Sequence, residues 1–183
     1  KLAKGSDDEV LTLASGVPSW AEGGSGGILQ VKTVAVTTTQ SETTGSPTFS
    51  DISGLTVDIT PAATGNKIFI LANLNVSNYP NYGIATRMMR DTTALNICTD
   101  TSGVITMATW GVTEEALHKG MTNVNMMFLD APSSTSATTY KCQWTVETNG
   151  TCYLNRYYTE QNYVYDYRGA STLTVMEVAS GAL

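Results

Sequence analysis

The 183-residue sequence has few charged side chains, few cysteines and no long apolar run. Ten Lys and Arg residues stand against sixteen Asp and Glu residues, which gives a formal net charge of −6. Binding to nucleic acid needs clustered cations that neutralise phosphate, so this composition argues against it and against an anionic membrane surface. No apolar run approaches the ~20 residues of a membrane-spanning helix, so we expect no membrane insertion. The chain begins at Lys1 without a signal peptide, and we interpret it as a piece of a longer protein.

Three cysteines are too few, and an odd number, for a disulfide framework. Residues 138–158 alternate between apolar and polar side chains around Asn149 and Gly150, a pattern that predicts a tight β-hairpin. In that pairing Cys142 and Cys152 point to opposite faces of the ribbon, which argues against a bridge between them. We therefore expect all three thiols to be reduced and the protein to fold in a cytosol.

Sequence signatures of catalysis are also scarce. The chain has no phosphate-binding loop and no dinucleotide fingerprint. His118 is the only histidine; with Glu114 or Glu115 it could share a metal, but a site needs further ligands, so we expect no metal and no cofactor. Four acids are of the type that hydrolyses glycosides, although no spacing pairs them: Asp130, Glu147, Glu160 and Asp166. We expect a protein that is not an enzyme.

Short alternating runs rich in Val, Ile, Thr and Tyr make up most of the chain, with turn residues between them. They predict ten strands: residues 29–36, 55–60, 67–75, 84–90, 93–98, 104–108, 121–130, 138–147, 151–158 and 171–178. Residues 68–71 are apolar on both faces, as expected of a central strand. One short helix is predicted at residues 113–119, as a connection. The pattern predicts an all-β fold, an antiparallel ten-stranded jelly-roll sandwich.

A glycine-rich linker at residues 23–27 separates residues 1–22 from a main domain at residues 28–183. The first segment is too short to bury its own apolar side chains, which are Val10, Leu11, Leu13, Val17 and Trp20. The simplest partners for these side chains are copies of the same segment in sister chains. We therefore expect the first segment to be part of an assembly.

Residues 5–13, Gly-Ser-Asp-Asp-Glu-Val-Leu-Thr-Leu, are followed by Gly-Val-Pro-Ser-Trp-Ala at residues 16–21. This combination resembles a short β-rich element of bacteriophage tail fibres, in which Gly more often occupies the position of Asp8. The order of later segments also resembles phage tail-fibre tip domains. Those segments are residues 55–61, 66–71, 88–95, 128–132, 138–141 and 173–178. The resemblance implies a homotrimer of jelly rolls of the tumour-necrosis-factor or C1q type, located in the virion and joined to upstream fibre or virion proteins.

If ten strands each cross the domain once, residues 28 and 180 lie at the same end. The opposite end then receives the connections at residues 37–53, 76–83, 99–103, 131–137 and 159–169. Tyrosine combines a flat apolar face with a hydroxyl, and sugar rings stack on such faces while amides and charged groups bind their hydroxyls. The candidate ligand-binding residues are Tyr79, Asn81, Tyr82, Asn162, Tyr163, Tyr165, Asp166, Tyr167 and Arg168. Alternatively, the tyrosines of residues 163–167 line a core or a trimer interface.

These observations lead to one principal hypothesis and two alternatives. The principal hypothesis is a tail-fibre tip that binds a host cell-surface receptor, a glycan or an outer-membrane protein, through loops at the free end. The first alternative is a purely structural virion fibre or decoration protein with the same fold. The second is an enzyme that degrades polysaccharide.

Overall fold

The computed structural model describes residues 4–6, 9–22, 27–79, 82–99, 106–112, 120–164 and 166–182. These residues form thirteen strands and one short 3-10 turn, Ser180–Ala182. The first seven strands are β1 Glu9–Ala14, β2 Val17–Glu22, β3 Ile28–Val36, β4 Gln40–Thr44, β5 Ser50–Ile59, β6 Lys67–Tyr79 and β7 Ile84–Arg90. The others are β8 Thr93–Leu95, β9 Trp110–Val112, β10 Thr122–Asp130, β11 Thr138–Val146, β12 Gly150–Leu154 and β13 Ser171–Val178. Among the described residues, no helix has the length and apolar character needed to cross a membrane.

Strands β1 and β2 form an antiparallel hairpin around Ser15 and Gly16. Both turn residues have positive φ, 53° and 80°, as a two-residue hairpin turn that follows the strand twist requires. Leu11 lies opposite Trp20, and both side chains are exposed. The predicted β-rich segment is therefore a hairpin whose described apolar side chains remain open to solvent.

The main sheet, sheet 1, is built around the 13-residue strand β6. Strand β10 pairs along one side of β6. On the other side β13 pairs with the first half of β6 and β12 pairs with the second half. Strands β3 and β4 then pair with β13 and β12, respectively. The central position predicted for residues 67–75 is confirmed.

The second sheet, sheet 2, has the order β5-β11-β7, and both β8 and β9 pair with β7. All pairings in both sheets are antiparallel. The inner faces of the two sheets share one apolar core, in which Trp144 and Tyr140 are the largest fully buried side chains. The structure is therefore the all-β antiparallel sandwich that the alternation predicted.

A buried carboxylate joins three segments at the end of the sandwich where the domain begins. Glu177 of β13 accepts hydrogen bonds from Gln30 Nε2 at 2.5 Å, Asn66 Nδ2 at 2.6 Å and the Ala62 N–H at 2.7 Å. Burial alone raises the pKa of Glu177, but these three hydrogen bonds outweigh it and hold that pKa below its usual range. Ionised Glu177 is thus part of the fold.

The predicted hairpin at residues 138–158 is wrong. The chain leaves sheet 2 after Val146, and the Glu147 N–H donates to the Gly83 carbonyl at this exit. Strand β12 then pairs in sheet 1. Strand β6 extends beyond β13, and its backbone groups there need partners, which β12 supplies. Cys142 and Cys152 consequently face the core from different sheets. Both are free and buried, and Cys98 is free and exposed. The hairpin argument against a bridge between Cys142 and Cys152 therefore does not apply to this structure.

The predicted sorting of loops between the two ends is correct only in part. Ile28 pairs with Val178, so the domain begins and ends at the same end of the sandwich, as predicted. Residues 131–137 follow Asp130, which pairs with Ile68, so this loop lies at that same end and its predicted position is wrong. The strand count caused the error, because β8 and β9 pair with one side of β7 as successive halves of a single strand line.

Several smaller predictions have separate outcomes. Residues 106–108 are not in a strand, so the strand predicted at residues 104–108 is absent from its described part. Residues 104–105 lie outside the described part of the chain, and so does the helix predicted at residues 113–119 with Glu114, Glu115 and His118. Strands β4 and β9 were not predicted.

Candidate functional site

A long excursion, residues 155–170, leaves sheet 1 between β12 and β13; we call it the tyrosine loop. Because β12 and β13 pair with successive halves of β6, the two ends of this loop are held together in mid-sheet. The Gly169 N–H donates to the Asn155 carbonyl at 3.1 Å and closes the loop at its base. The loop therefore emerges from the face of a sheet and not from the predicted free end.

Asn155 anchors this base from a fully buried position. Its Nδ2 donates to the carbonyls of Val36 at 2.7 Å and Thr38 at 3.0 Å, and its Oδ1 accepts from the Ser171 hydroxyl at 2.6 Å. Its backbone has φ of 62°, a left-handed conformation that Asn tolerates better than most residues. The side chain satisfies backbone groups that the interrupted strand line would otherwise leave unpaired.

The tyrosine loop covers the outer face of the second half of β6. The Ser77 hydroxyl donates to the Arg156 carbonyl at 2.8 Å, and Asn75 Nδ2 donates to the Ala170 carbonyl at 2.7 Å. Gly169 lies against Asn75 so closely that a Cβ at this position would be 2.8 Å from the Asn75 Cγ. Both ends of the loop are therefore packed on the sheet.

Within the loop, Asp166 fixes the backbone conformation. Its carboxylate accepts the backbone N–H groups of Gln161 at 2.8 Å and Tyr163 at 2.9 Å. These hydrogen bonds hold the pKa of Asp166 below its usual range, because they stabilise the ionised form. The Asp166 N–H also donates to the Tyr163 carbonyl at 2.9 Å, so the turn is tied from both sides.

Glu160 lies between two arginines at the wall of the loop. The Arg168 guanidinium donates to it through two nitrogens, at 3.1 Å and 3.0 Å, and Arg156 Nε is 3.7 Å away. Arg156 also lies over the ring of Tyr153, 5.1 Å from its centroid. The paired carboxylate raises the pKa of Arg168, which therefore stays charged and engaged.

These side chains enclose an open concavity of about 500 Å³, lined by Glu160, Gln161, Asn162, Tyr163, Asp166 and Arg168. Tyr163 and Tyr167 are exposed to 51% and 64%, and Val164 to 97%. The concavity thus presents an aromatic surface, amides and fixed charges to solvent. The described residues contain no group of three or more side chains that could hold a metal ion.

The structure assembles some of the predicted contact residues and separates others. Asn162, Tyr163, Asp166 and Arg168 line the concavity, and Tyr167 lies in the same loop. Tyr79 stacks on Tyr158 at the start of the loop, with ring centroids 5.3 Å apart. Tyr82 instead packs against the hydrophobic core. Asn81 and Tyr165 lie outside the described residues.

The contact residues predicted from the sequence did not include Tyr158, Glu160 and Gln161 of the loop or Asn155 at its base. Only the opposite charges of Glu160 and Arg168, which flank residues 161–167 within the loop, offered a usable sequence signal. The role of Asn155 depends on carbonyls about 120 residues away in sequence, because its bond to Val36 spans 119 positions. Local pattern could not identify it.

The acids considered for glycoside hydrolysis are engaged in structural contacts. Asp130 accepts from the Tyr140 hydroxyl at 2.6 Å and from Arg90 at 2.8 Å. Burial and the neighbouring Asp130 carboxylate raise the pKa of Tyr140 well above its usual range, so it acts as a neutral donor. In the loop, Asp166 binds backbone and Glu160 binds Arg168. Each of these carboxylates is thus part of a structural contact.

No protein-family model matches the chain, and a search of curated proteins found no match. Among solved structures, it is similar to the VP2 protein of infectious bursal disease virus. A mutant VP2 in derived T=1 particles is 15% identical over 93% of this chain, with a TM-score of 0.40. The Gx strain of the virus gives 14% identity over 94% of this chain and a TM-score of 0.37. This chain spans 41% and 42% of the length of those proteins, respectively.

Proposed function

We propose that this chain is the receptor-binding tip of a bacteriophage tail fibre, that it acts by binding without turnover, and that the tyrosine loop is its contact surface. The observation that carries the proposal is the open concavity, whose shape is fixed by Asp166 and by the Glu160–Arg168 pair. A site that is rigid before binding loses little conformational entropy on binding. The tail-fibre resemblance of residues 5–21 and of the later segments supplies the biological setting.

The lining of the concavity favours a neutral glycan as ligand. The exposed ring of Tyr163 in the lining, and that of Tyr167 elsewhere in the same loop, offer flat apolar surfaces for sugar C–H faces. The Asn162 amide can both donate to and accept from hydroxyls. The lining carries two carboxylates for one guanidinium, and that guanidinium is already paired with Glu160. An anionic sugar or a phosphate would therefore meet net repulsion.

Several copies of the chain would act together at the tip. The hairpin of β1 and β2 exposes Leu11, Leu13 and Val17, to 56%, 73% and 65%, and copies of the same segment would cover them. A homotrimer presents three concavities, and avidity then multiplies weak individual contacts. These exposed side chains also favour a second candidate function, a structural virion protein that assembles in the same way without binding a receptor.

A glycan array with the full chain separates the two functions. We expect binding to neutral glycans, at least tenfold weaker for the Y163A/Y167A variant, because loss of one stacked aromatic side chain costs about 1–3 kcal/mol where the stacked ring is a nucleobase. The matched control is Y163F/Y167F, which keeps both aromatic rings and removes only their hydroxyls. An assembled protein that binds no glycan and no host cell would favour the structural function, and release of oligosaccharide from host capsule would favour an enzyme.

A further inference from the structure

The outer face of sheet 1, below the tyrosine loop, carries three successive rows of uncharged side chains, and Lys67 of β6 lies in the row below them. Its side chains lie in rows that cross four strand lines. One row is Val31, Met176, Phe69 and Leu129, and the next is Thr33, Thr174, Leu71 and Met127. The row above these contains Ala35, Thr172, Asn73 and Asn125. Val31, Met127 and Leu129 of these rows are exposed to 53%, 62% and 39%. The face is thus apolar and exposed in a chain whose formal net charge is −6.

Four asparagines form a hydrogen-bonded cluster at the upper edge of this face. Asn73 Nδ2 donates to Asn125 Oδ1 at 2.6 Å, and Asn123 Nδ2 donates to Asn73 Oδ1 at 3.0 Å and Asn75 Oδ1 at 3.2 Å. The cluster joins β6 and β10, and beside it a shallow groove runs between Leu71, Met127 and Thr174. Each primary amide has two donors and two acceptor lone pairs, so a cluster of amides is complementary to a copy of itself.

We infer that this outer face is the surface through which the sandwich domain associates with other copies of the same chain. The inference deepens the proposed function, since it rests on the multi-copy tip proposed above. Large exposed apolar patches mark interaction surfaces. Each chain carries a net charge of −6, so two copies repel each other where acidic surfaces meet. Contact through an uncharged face avoids this repulsion, because it places no like charges next to each other.

The size of the face fits this occupant. With strands about 4.8 Å apart and about 3.3 Å per residue, four strand lines along the nine residues of β10 span roughly 15–20 Å by 30 Å. This is on the order of 500 Å² in projection, and side-chain relief adds to it. A stable protein–protein interface buries about 800 Å² on each partner, so the face accounts for most of that requirement.

The test compares two double variants of the full chain by sedimentation equilibrium. In M127E/L129E two carboxylates enter the face, and we expect the dissociation constant of the oligomer to rise at least about 100-fold. The matched control, S53E/T56E, adds the same charge to exposed positions of β5 in sheet 2, and it should remain assembled. M127A/L129A, which adds no charge, should shift the equilibrium in the same direction by a smaller factor.

Circular dichroism establishes that each variant is folded before its mass is interpreted. If both M127E/L129E and M127A/L129A remained assembled, the inference would be overturned, and association would be assigned to another surface, such as the β1–β2 hairpin. A wild-type chain that sediments at 19.5 kDa at all concentrations would overturn it as well. If the wild type bound no glycan, only the receptor-binding proposal would be contradicted, because the mass measurement does not depend on a ligand.

Discussion

Replacing Asn155 with alanine removes the anchor of the tyrosine loop. Three side-chain hydrogen bonds are lost, those to the Val36 and Thr38 carbonyls and the one from Ser171. At about 0.5–1.5 kcal/mol for each bond, and about 1 kcal/mol for placing alanine at φ of 62°, we expect the free energy of unfolding to fall by about 2.5–5.5 kcal/mol. A domain is typically stable by about 5–15 kcal/mol, so the variant should still fold.

The assay is thermal unfolding together with amide hydrogen exchange of the tyrosine loop. For a chain of this size the expected loss lowers Tm by roughly 5–22 °C. Exchange should rise across the described residues of the loop and remain low in β6, because the loop base opens while the sheet stays paired.

The matched control is Asn96→Ala. Asn96 is also an asparagine with positive φ, 48°, but its side chain is exposed. This control should lose only the backbone contribution of about 1 kcal/mol. Equal destabilisation by both substitutions, with unchanged exchange in the tyrosine loop, would refute the assignment of Asn155 as its anchor.

Three further predictions concern titratable groups. Because the folded pKa of Glu177 is lowered from about 4.5, its ionised form stabilises the fold above that pH, and this stability is lost as the pH falls through the folded pKa. The free energy of urea unfolding between pH 3 and pH 6 should therefore depend less on pH in Glu177→Gln than in the wild type. An equal pH dependence in the two proteins would contradict this. Burial raises the pKa of Cys142 and Cys152 to about 12, so a thiol reagent should label only exposed Cys98 in the native protein, and labelling of all three without unfolding would count against the described core. Asp166→Ala should increase hydrogen exchange at the amides of residues 161 and 163 without lowering Tm appreciably, and unchanged exchange would show that the loop is held otherwise.

Sequence patterns were sufficient for the fold class because burial alternates along most strands. In β13 every second side chain faces the core, and β6 alternates strictly over its first ten residues. Alternation does not say which sheet a strand joins, since the inner faces of both sheets carry the same pattern. Residues 138–158 were therefore predicted as a hairpin, although the chain crosses from sheet 2 to sheet 1 after Val146.

The candidate site was predicted in composition and not in position. Tyrosine, amide and charged residues at 162–168 indicated a contact loop, and four of the predicted residues line the concavity. The location of the loop depends on β12 and β13 sharing one side of β6, a tertiary arrangement that no local pattern specifies. For the same reason Tyr82 was predicted at the surface although it packs on the core.

The most direct test of the central claim measures binding of the labelled full chain to intact host cells. The wild type, Y163A/Y167A and the control Y163F/Y167F are compared at equal concentration, after equal assembly has been confirmed. We predict saturable binding by the wild type and the control, inhibition by a neutral polysaccharide, and at least tenfold weaker binding by Y163A/Y167A. Equal binding by all three proteins would contradict the tyrosine loop as the contact surface.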